Sequence, residues 1–450
     1  MQQDAQGNAI SAASAEAARA FDHTIAGYLG YRFDTAQRMQ ALLAADPDCG
    51  MAHALKAAFL LLGYKQAFVP MAKEAIATAG RLTARATPRE QAHVAALSAW
   101  SEGEMDRALA AWESILADHP RDILAFRLHH FCSFWLGRPE TMLASVERVL
   151  PRWSREVPGY GGVLACRSFA NEEAGNYVVA EAAGRAAIAL DPGDLWAAHA
   201  VAHVLEMQGR RSEGIAWITG LEPNWAGGNN IMHHLWWHRA MYHLEQRDFS
   251  GVLSLYDTRF RDLASPVTQA QPDLYIDVQN AASMLFRLSL HGVEAGHRWE
   301  ELADKAEARI GDTLSAFTLP HWMMALCGAG RWAAADRLLD SLRDAARSNA
   351  GTNGPLVARY ALPVAEAVLK HAQGDHADAV AAMRPALQGM YQLGGSHAQQ
   401  DVFEQLFLHA AMRAGQAGDA RMLLERVAGR HPVPPERRVG YAEAARSVAH

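Results

Sequence analysis

Cysteine is scarce in this chain. Four thiols in 450 residues (Cys49, Cys132, Cys166 and Cys327), with no CxxC pair among them, exclude a disulfide framework and a structural zinc knuckle. Each sits in an apolar helical stretch, the usual setting of a buried free thiol. Long hydrophobic runs are missing too. The longest apolar stretch, around Ala57 to Leu62, is far too short to span a bilayer. Basic charge is outnumbered, with 42 Lys and Arg against 49 Asp and Glu and a net charge of -7, so no nucleic-acid or membrane footprint is expected. Strict apolar/polar alternation is almost absent, which leaves little room for strands. Residues Met1 to Ala20 have neither a basic start nor an apolar run, so no signal peptide is expected and the location reads as cytoplasmic.

Half of the residues are apolar, 20% are charged, and 21 are histidine. That composition makes a globular core, not a disordered chain. Helical periodicity runs nearly the whole length. In Gly103 to Pro120 a turn glycine is followed at +5 by Ala108, at +9 by Trp112, at +12 by Ile115 and at +17 by Pro120. Small and large apolar residues on one stripe allow one helix to pack closely on another, and the proline then turns the chain. The spacing returns at Gly175, Ala180, Gly184, Ala187 and Pro192, and at Gly415, Ala420, Leu424, Val427 and Pro432. Partial copies start at Gly209, Gly330 and Gly374, and Thr35, Met39, Leu42 and Pro47 fit without the first glycine.

This is the tetratricopeptide pattern of roughly 34 residues per helix–turn–helix unit. The expected fold is all-α, a right-handed α-solenoid of such repeats in one array. It would comprise an N-terminal segment (1–20), N-terminal repeats (21–220), central helices and loops (221–348) and C-terminal repeats (349–450). Gly, Pro and Asn clusters predict loops at Leu221–Asn230, Leu263–Asp273 and Asn349–Gly354. Trp100, Trp112, Trp135 and Trp332 fit packing positions, whereas Trp196, Trp236 and Trp237 are better placed for a ligand.

Six strings stand out, and two of them, the third and the last, lie outside the generic repeat consensus. The six are REQAHV (Arg89 to Val94), WESILADHPRD (Trp112 to Asp122), HAVAHVLEM (His199 to Met207), WWH (Trp236 to His238), SMLFRL (Ser283 to Leu288) and GGSHAQQDVF (Gly394 to Phe403). On these the chain resembles the tetratricopeptide repeat protein 38 family over nearly its full length. The resemblance implies a repeat-only protein without an appended catalytic domain, and it names no activity.

In this architecture the first helix of each unit lines the concave groove. Counting ten residues back from Gly63, Gly103, Gly137 and Gly209 gives His53, His93, Arg127 and His199. The same stripes add Phe131, Phe134, Phe169, Glu172 or Glu173, Trp196, His203 and Glu206, and the next first helix adds His234, Trp237, His238 and Met241. A groove of imidazoles, carboxylates and aromatics, poor in lysine, is unlike a clamp for a peptide carboxylate.

His199, His203 and Glu206 stand at i, i+4 and i+7 on one helix face. Two such histidines can bind a divalent metal (zinc, iron or manganese), with Glu206 completing the set or acting as general base. A hydrogen-bonded structural seam explains the same spacing. His130 reads as a satisfied core histidine or a substrate contact, and His321, after Pro320, as cap, packing or contact. Asp277 and Gln399 are further groove candidates. Gly394 to Gln399 lacks any nucleotide-binding spacing, though Ser396 can cap the following helix. None of the cysteines has an obvious electropositive neighbour.

Two functions follow. The first is a small-molecule hydrolase or lyase with His199, His203, Glu206, His238 and Glu173 as catalytic candidates. His93, Arg127, His130, Phe131, Trp196, His234, Trp237, Asp277, His321 and Gln399 would contact its substrate. The second is a non-enzymatic scaffold for a peptide or protein partner. A homodimer is open in either.

Overall fold

The repeat glycines predict tight turns between paired helices, and these are what the backbone makes. The computed structural model describes residues 1–448, and they are almost wholly helical. Where helix Pro88–Ser101 gives way to Met105–Asp118, Gly103 turns the chain in the left-handed region. Gly137, Gly175, Gly209, Gly330, Gly374 and Gly415 do the same between their helices, so all seven have φ between 62° and 85°. A side chain at such a φ costs about 1 kcal/mol or more, which is why the position recurs as glycine.

The stripe after each turn is buried. Ala108 and Trp112 are fully enclosed and Ile115 nearly so, with Trp112 edge-on to Trp100 at 5.8 Å. At Gly184 a β-carbon would come within 2.5 Å of Val201, so the helices meet there without a side chain between them. At Gly214 it would meet the Tyr242 ring at 2.2 Å. Thr87 opens helix Pro88–Ser101 with a reciprocal capping box to Glu90, and Ser396 does so with Gln399 for His397–Arg413.

The chain folds as two compact units, Met1–Val201 with Leu221–Ile231, and Ala202–Gly220 with the chain from Met232 onward. In the first, Trp112, Phe126 and Phe169 fill the core; in the second, Trp237, Tyr242, Phe317, Trp322 and Phe403. Each such side chain contributes roughly 1.5–3 kcal/mol by leaving water.

Three features depart from the sequence reading. The N-terminal segment pairs Gln2–Gln3 with Ala9–Ile10 as a short antiparallel hairpin, closed by Asp4, whose carboxylate accepts from the backbone of Gln6 and Asn8. Its two-residue strands are too short to show alternation. Trp332, expected in the core, is 44% exposed, because it opens helix Trp332–Ser348 ahead of the buried stripe Ala335, Leu339 and Leu342. Leu263–Asp273, read as a loop, holds the short helix Pro266–Ala270. Among the described residues no helix is long and apolar enough to cross a membrane.

Candidate functional site

Helical spacing of three and four puts side chains on one face, and in the second unit four helices turn such faces toward one another. Helix Leu195–Met207 contributes His203 and Glu206, and Ile231–Glu245 contributes His234, Trp237 and His238. Tyr275–Ser289 brings Asn280 and Arg287, and His397–Arg413 brings Gln399 and Asp401. His203 and His238 are fully buried and His234 is 3% exposed. The ring centroids of His203 and His238 lie 4.3 Å apart, and those of His234 and His238 4.8 Å. His199 precedes His203 by one turn of the same helix.

Two of the imidazoles are held from behind. His238 Nδ1 is 2.7 Å from Glu206 Oε2. His234 Nδ1 is 2.8 Å from the Asn280 amide, and its ring stacks on Trp237 at 5.3 Å and 8°. Gln399 Nε2 in turn reaches Asn280 Oδ1 at 3.4 Å. Burial disfavours charge here. It pushes His238 down to about 3 and His203 and His234 well below the ordinary imidazole value. The same loss of water pushes Glu206 up to about 8, with Arg287 pulling the other way. The imidazoles are therefore neutral, the form that accepts a proton or binds a cation.

A charged layer lies behind this centre. The Arg287 guanidinium is wholly buried, donates to the carbonyls of Ser283 and Ala398, and sits over Trp237 at 5.8 Å. Asp401 faces it at 3.9 Å and accepts from Arg438, from the Tyr441 hydroxyl and from Gln405. Burial alone would raise Asp401, but Arg438 and Arg287 hold it below the usual carboxylate range. A small pocket of ≈ 30 Å³ opens beside Asp401 between Met207, His397, Gln400 and Arg438.

In the first unit the predicted residues form two separate groups. Arg127 is buried in an aromatic cage, 4.6 Å over Trp196 and 5.4 Å over Tyr31, donating to the Tyr31 hydroxyl and to Cys166 Sγ at 3.2 Å. The sequence reading gave no cysteine an electropositive neighbour. Cys166 has one, from 39 residues away, yet burial still keeps its thiol protonated. Phe169, Trp196 and His199 stack in sequence, with Trp196 and His199 4.5 Å apart. His130 is buried and packs on Phe126, Phe169 and Trp196. Phe131 is half-buried beside Tyr64 and Trp135, and Glu172 and Glu173 are buried at the end of their helix.

His93 belongs to the other group. Its Nε2 is 2.9 Å from Asp122 Oδ2, which also accepts from Arg89 at 2.6 Å, while Asp4 lies 3.7 Å from Arg89. The remaining candidates are tied into their surroundings. Asp277 accepts from His233 at 2.9 Å, His321 donates Nδ1–H to the Phe317 carbonyl at 2.9 Å, and His53 bonds the Pro47 carbonyl.

The residues that the reading missed are Asn280, Arg287, Asp401 and His233. Two of them carried a signal. Arg287 lies in SMLFRL and Asp401 in GGSHAQQDVF, beside HAVAHVLEM and WWH, so four of the six strings supply side chains of this one centre. Asn280 and His233 had none.

No family model matches the chain. Among solved structures it is similar to yeast Tom70, at 10% identity over 96% of this chain and 86% of that one, with a TM-score of 0.35. A complex of Naa15/Naa10 bound to HypK-THB matches at 13% identity over 91% and 68%, with a TM-score of 0.26. A monomeric mutant of IFIT1 with Gppp-AAAA matches at 12% over 93% and 96%, with a TM-score of 0.36. At such scores the fold assignment rests on the chain's own hairpins and turn glycines: it is a tetratricopeptide-like helical repeat protein.

Proposed function

We propose that the second unit carries a small-molecule enzyme site, of hydrolase or lyase type, built on His203, His238 and Glu206. The supporting observation is the fixed dyad of His238 Nδ1 and Glu206 Oε2 at 2.7 Å, with the neutral His203 ring 4.3 Å from that of His238. A carboxyl group that orients an imidazole from one nitrogen makes the other its working atom. His203 supplies a second proton acceptor, and the Arg287 charge balances negative charge developing on a substrate. The centre is buried and the pocket beside Asp401 is not lined by His203 or His238, so substrate entry requires side-chain movement. The resemblance to the tetratricopeptide repeat protein 38 family belongs to the same proposal, because its distinctive strings converge on this centre. A cytoplasmic setting fits four buried free cysteines.

The test is untargeted. A small-molecule extract is incubated with the full chain and with Glu206→Gln and His238→Asn, and substrate loss is followed by mass spectrometry. One or more compounds should be consumed by the wild type and at least about 100-fold more slowly by either variant. Consumption at the same rate by all three proteins would end the reading.

A second reading, partner binding, has its own observation. On helix Tyr177–Leu190, Val178 is 84% exposed, and Val179 and Leu190 are exposed beside the repeat hairpins. It predicts a partner that copurifies in fixed ratio and is lost in Val178→Asp/Val179→Asp.

A further inference from the structure

We infer that His203, His234 and His238 form a binding site for one divalent transition metal, zinc by the chemistry of its donors. The inference deepens the proposal above: it gives the nitrogen of His238 a cation in place of a proton.

One nitrogen from each of these rings lies within 4.8 Å of the others. Three imidazoles about one zinc ion at 2.0–2.1 Å stand roughly 3.4 Å apart, so closure takes about 1 Å of side-chain movement. All three side chains are buried, which shields the nitrogens from water that would otherwise compete for a cation. Nitrogen donors without thiolates favour zinc, iron or copper over magnesium and calcium.

The residues behind the donors point the same way. A metal-binding histidine ordinarily donates its second ring N–H to a carboxylate or carbonyl, which fixes its tautomer and orientation. Glu206 occupies that place for His238, at 2.7 Å from Nδ1: once ionised beside a cation, it accepts from Nδ1–H and leaves Nε2 with the lone pair. Asn280 stands at the same place for His234, its Nδ2 2.8 Å from Nδ1, and fixes the orientation of that ring. Glu206, a sequence candidate for metal ligand or general base, thereby becomes a positioning residue. Its carboxylate also balances part of the cation's charge.

The experiment is metal analysis of the tag-free full chain, since a histidine tag would bring its own metal. The protein is stripped with a chelator, reloaded with zinc, passed over a desalting column and measured by elemental mass spectrometry. Near one equivalent is expected for the wild type and for His409→Ala, a histidine outside the centre. Less than a tenth of that is expected for His234→Ala and for His238→Asn, with circular dichroism confirming that each is folded. Cobalt loaded in place of zinc should give visible absorption bands in the wild type and His409→Ala but not in His234→Ala or His238→Asn, a readout independent of turnover. Wild type that retains under a tenth of an equivalent overturns the inference, and so does zinc retained equally by the folded variants. The enzyme proposal is then judged separately: substrate consumption that survives the chelator but falls in Glu206→Gln leaves acid–base chemistry without a metal.

Discussion

Both units bury histidine beside carboxylate, but they do it to opposite ends. In the first, Arg89, His93 and Asp122 close a circuit: one carboxylate takes two donors, at 2.6 and 2.9 Å, and Asp4 completes the charge balance. In the second, three imidazoles face one another, and their partners Glu206 and Asn280 stand behind them. The first arrangement uses its polar atoms on itself. The second turns its nitrogens inward toward a shared point. Buried histidine is thus no sign of a site until its partners are known.

The largest expected effect breaks the closed circuit. Asp122→Ala leaves the Arg89 guanidinium buried without its nearest carboxylate, and should cost about 3–5 kcal/mol of stability in urea unfolding. A loss under about 1 kcal/mol would mean that Arg89 finds water, and that the circuit is less closed than it looks.

Acid should separate the two kinds of histidine next. Burial puts His321 at about 3 and His129 at about 4, both below the ordinary 6.5. Folded-state values that are depressed mean that the unfolded chain binds more protons. Stability is therefore full above about pH 6.5 and falls as pH drops toward 4, by up to about 1.4 kcal/mol per pH unit for each such group. Asp122 is also held well below its usual value, by His93 and Arg89 against the cost of burial, so its share is lost only below about pH 4. Urea midpoints at pH 7, 5.5 and 4 should show the first fall, and His321→Gln should flatten it. Unchanged midpoints from pH 7 to 5.5 would contradict neutral burial.

Glu206→Gln sharpens the comparison from the other side. The change keeps size and a hydrogen bond to His238, so about 1 kcal/mol of stability is expected to go, far less than at Asp122. A cost as large as at Asp122 would make the second centre structural as well. The smallest effect is local: Ser396→Ala removes a capping oxygen and should cost about 1 kcal/mol or less, visible as a shift of a few degrees at most in thermal unfolding.

Sequence reading was strongest where physics is local. The turn glycines, the +5, +9 and +12 stripe and the Ser396 cap depend on neighbours within one hairpin, and they stand in the structure as read. The i, i+4, i+7 spacing likewise placed His203 and Glu206 on one face. What spacing could not supply was pairing across helices. Glu206 meets His238 from 32 residues away, His234 meets Asn280 from 46, and His93 meets Asp122 from 29. Groove counting set His93 and His199 at equivalent places in their repeats and His203 one turn further on the same stripe, all as one groove. Only their partners distinguish a charge-closed circuit from a centre of neutral rings.

Gln399 shows how closely folding rules and site chemistry can share an atom. A helix-start rule treats Gln and Glu at this position as interchangeable, since either oxygen can reach back to the Ser396 amide. Here the other half of the side chain, Nε2, reaches Asn280, the residue that seats His234. A carboxylate would keep the helix start and set oxygen against oxygen. In the vocabulary of protein engineering this is a position where a stabilising library would accept Glu without penalty and lose the orientation of a ring two contacts away. Screens for foldability alone would pass it.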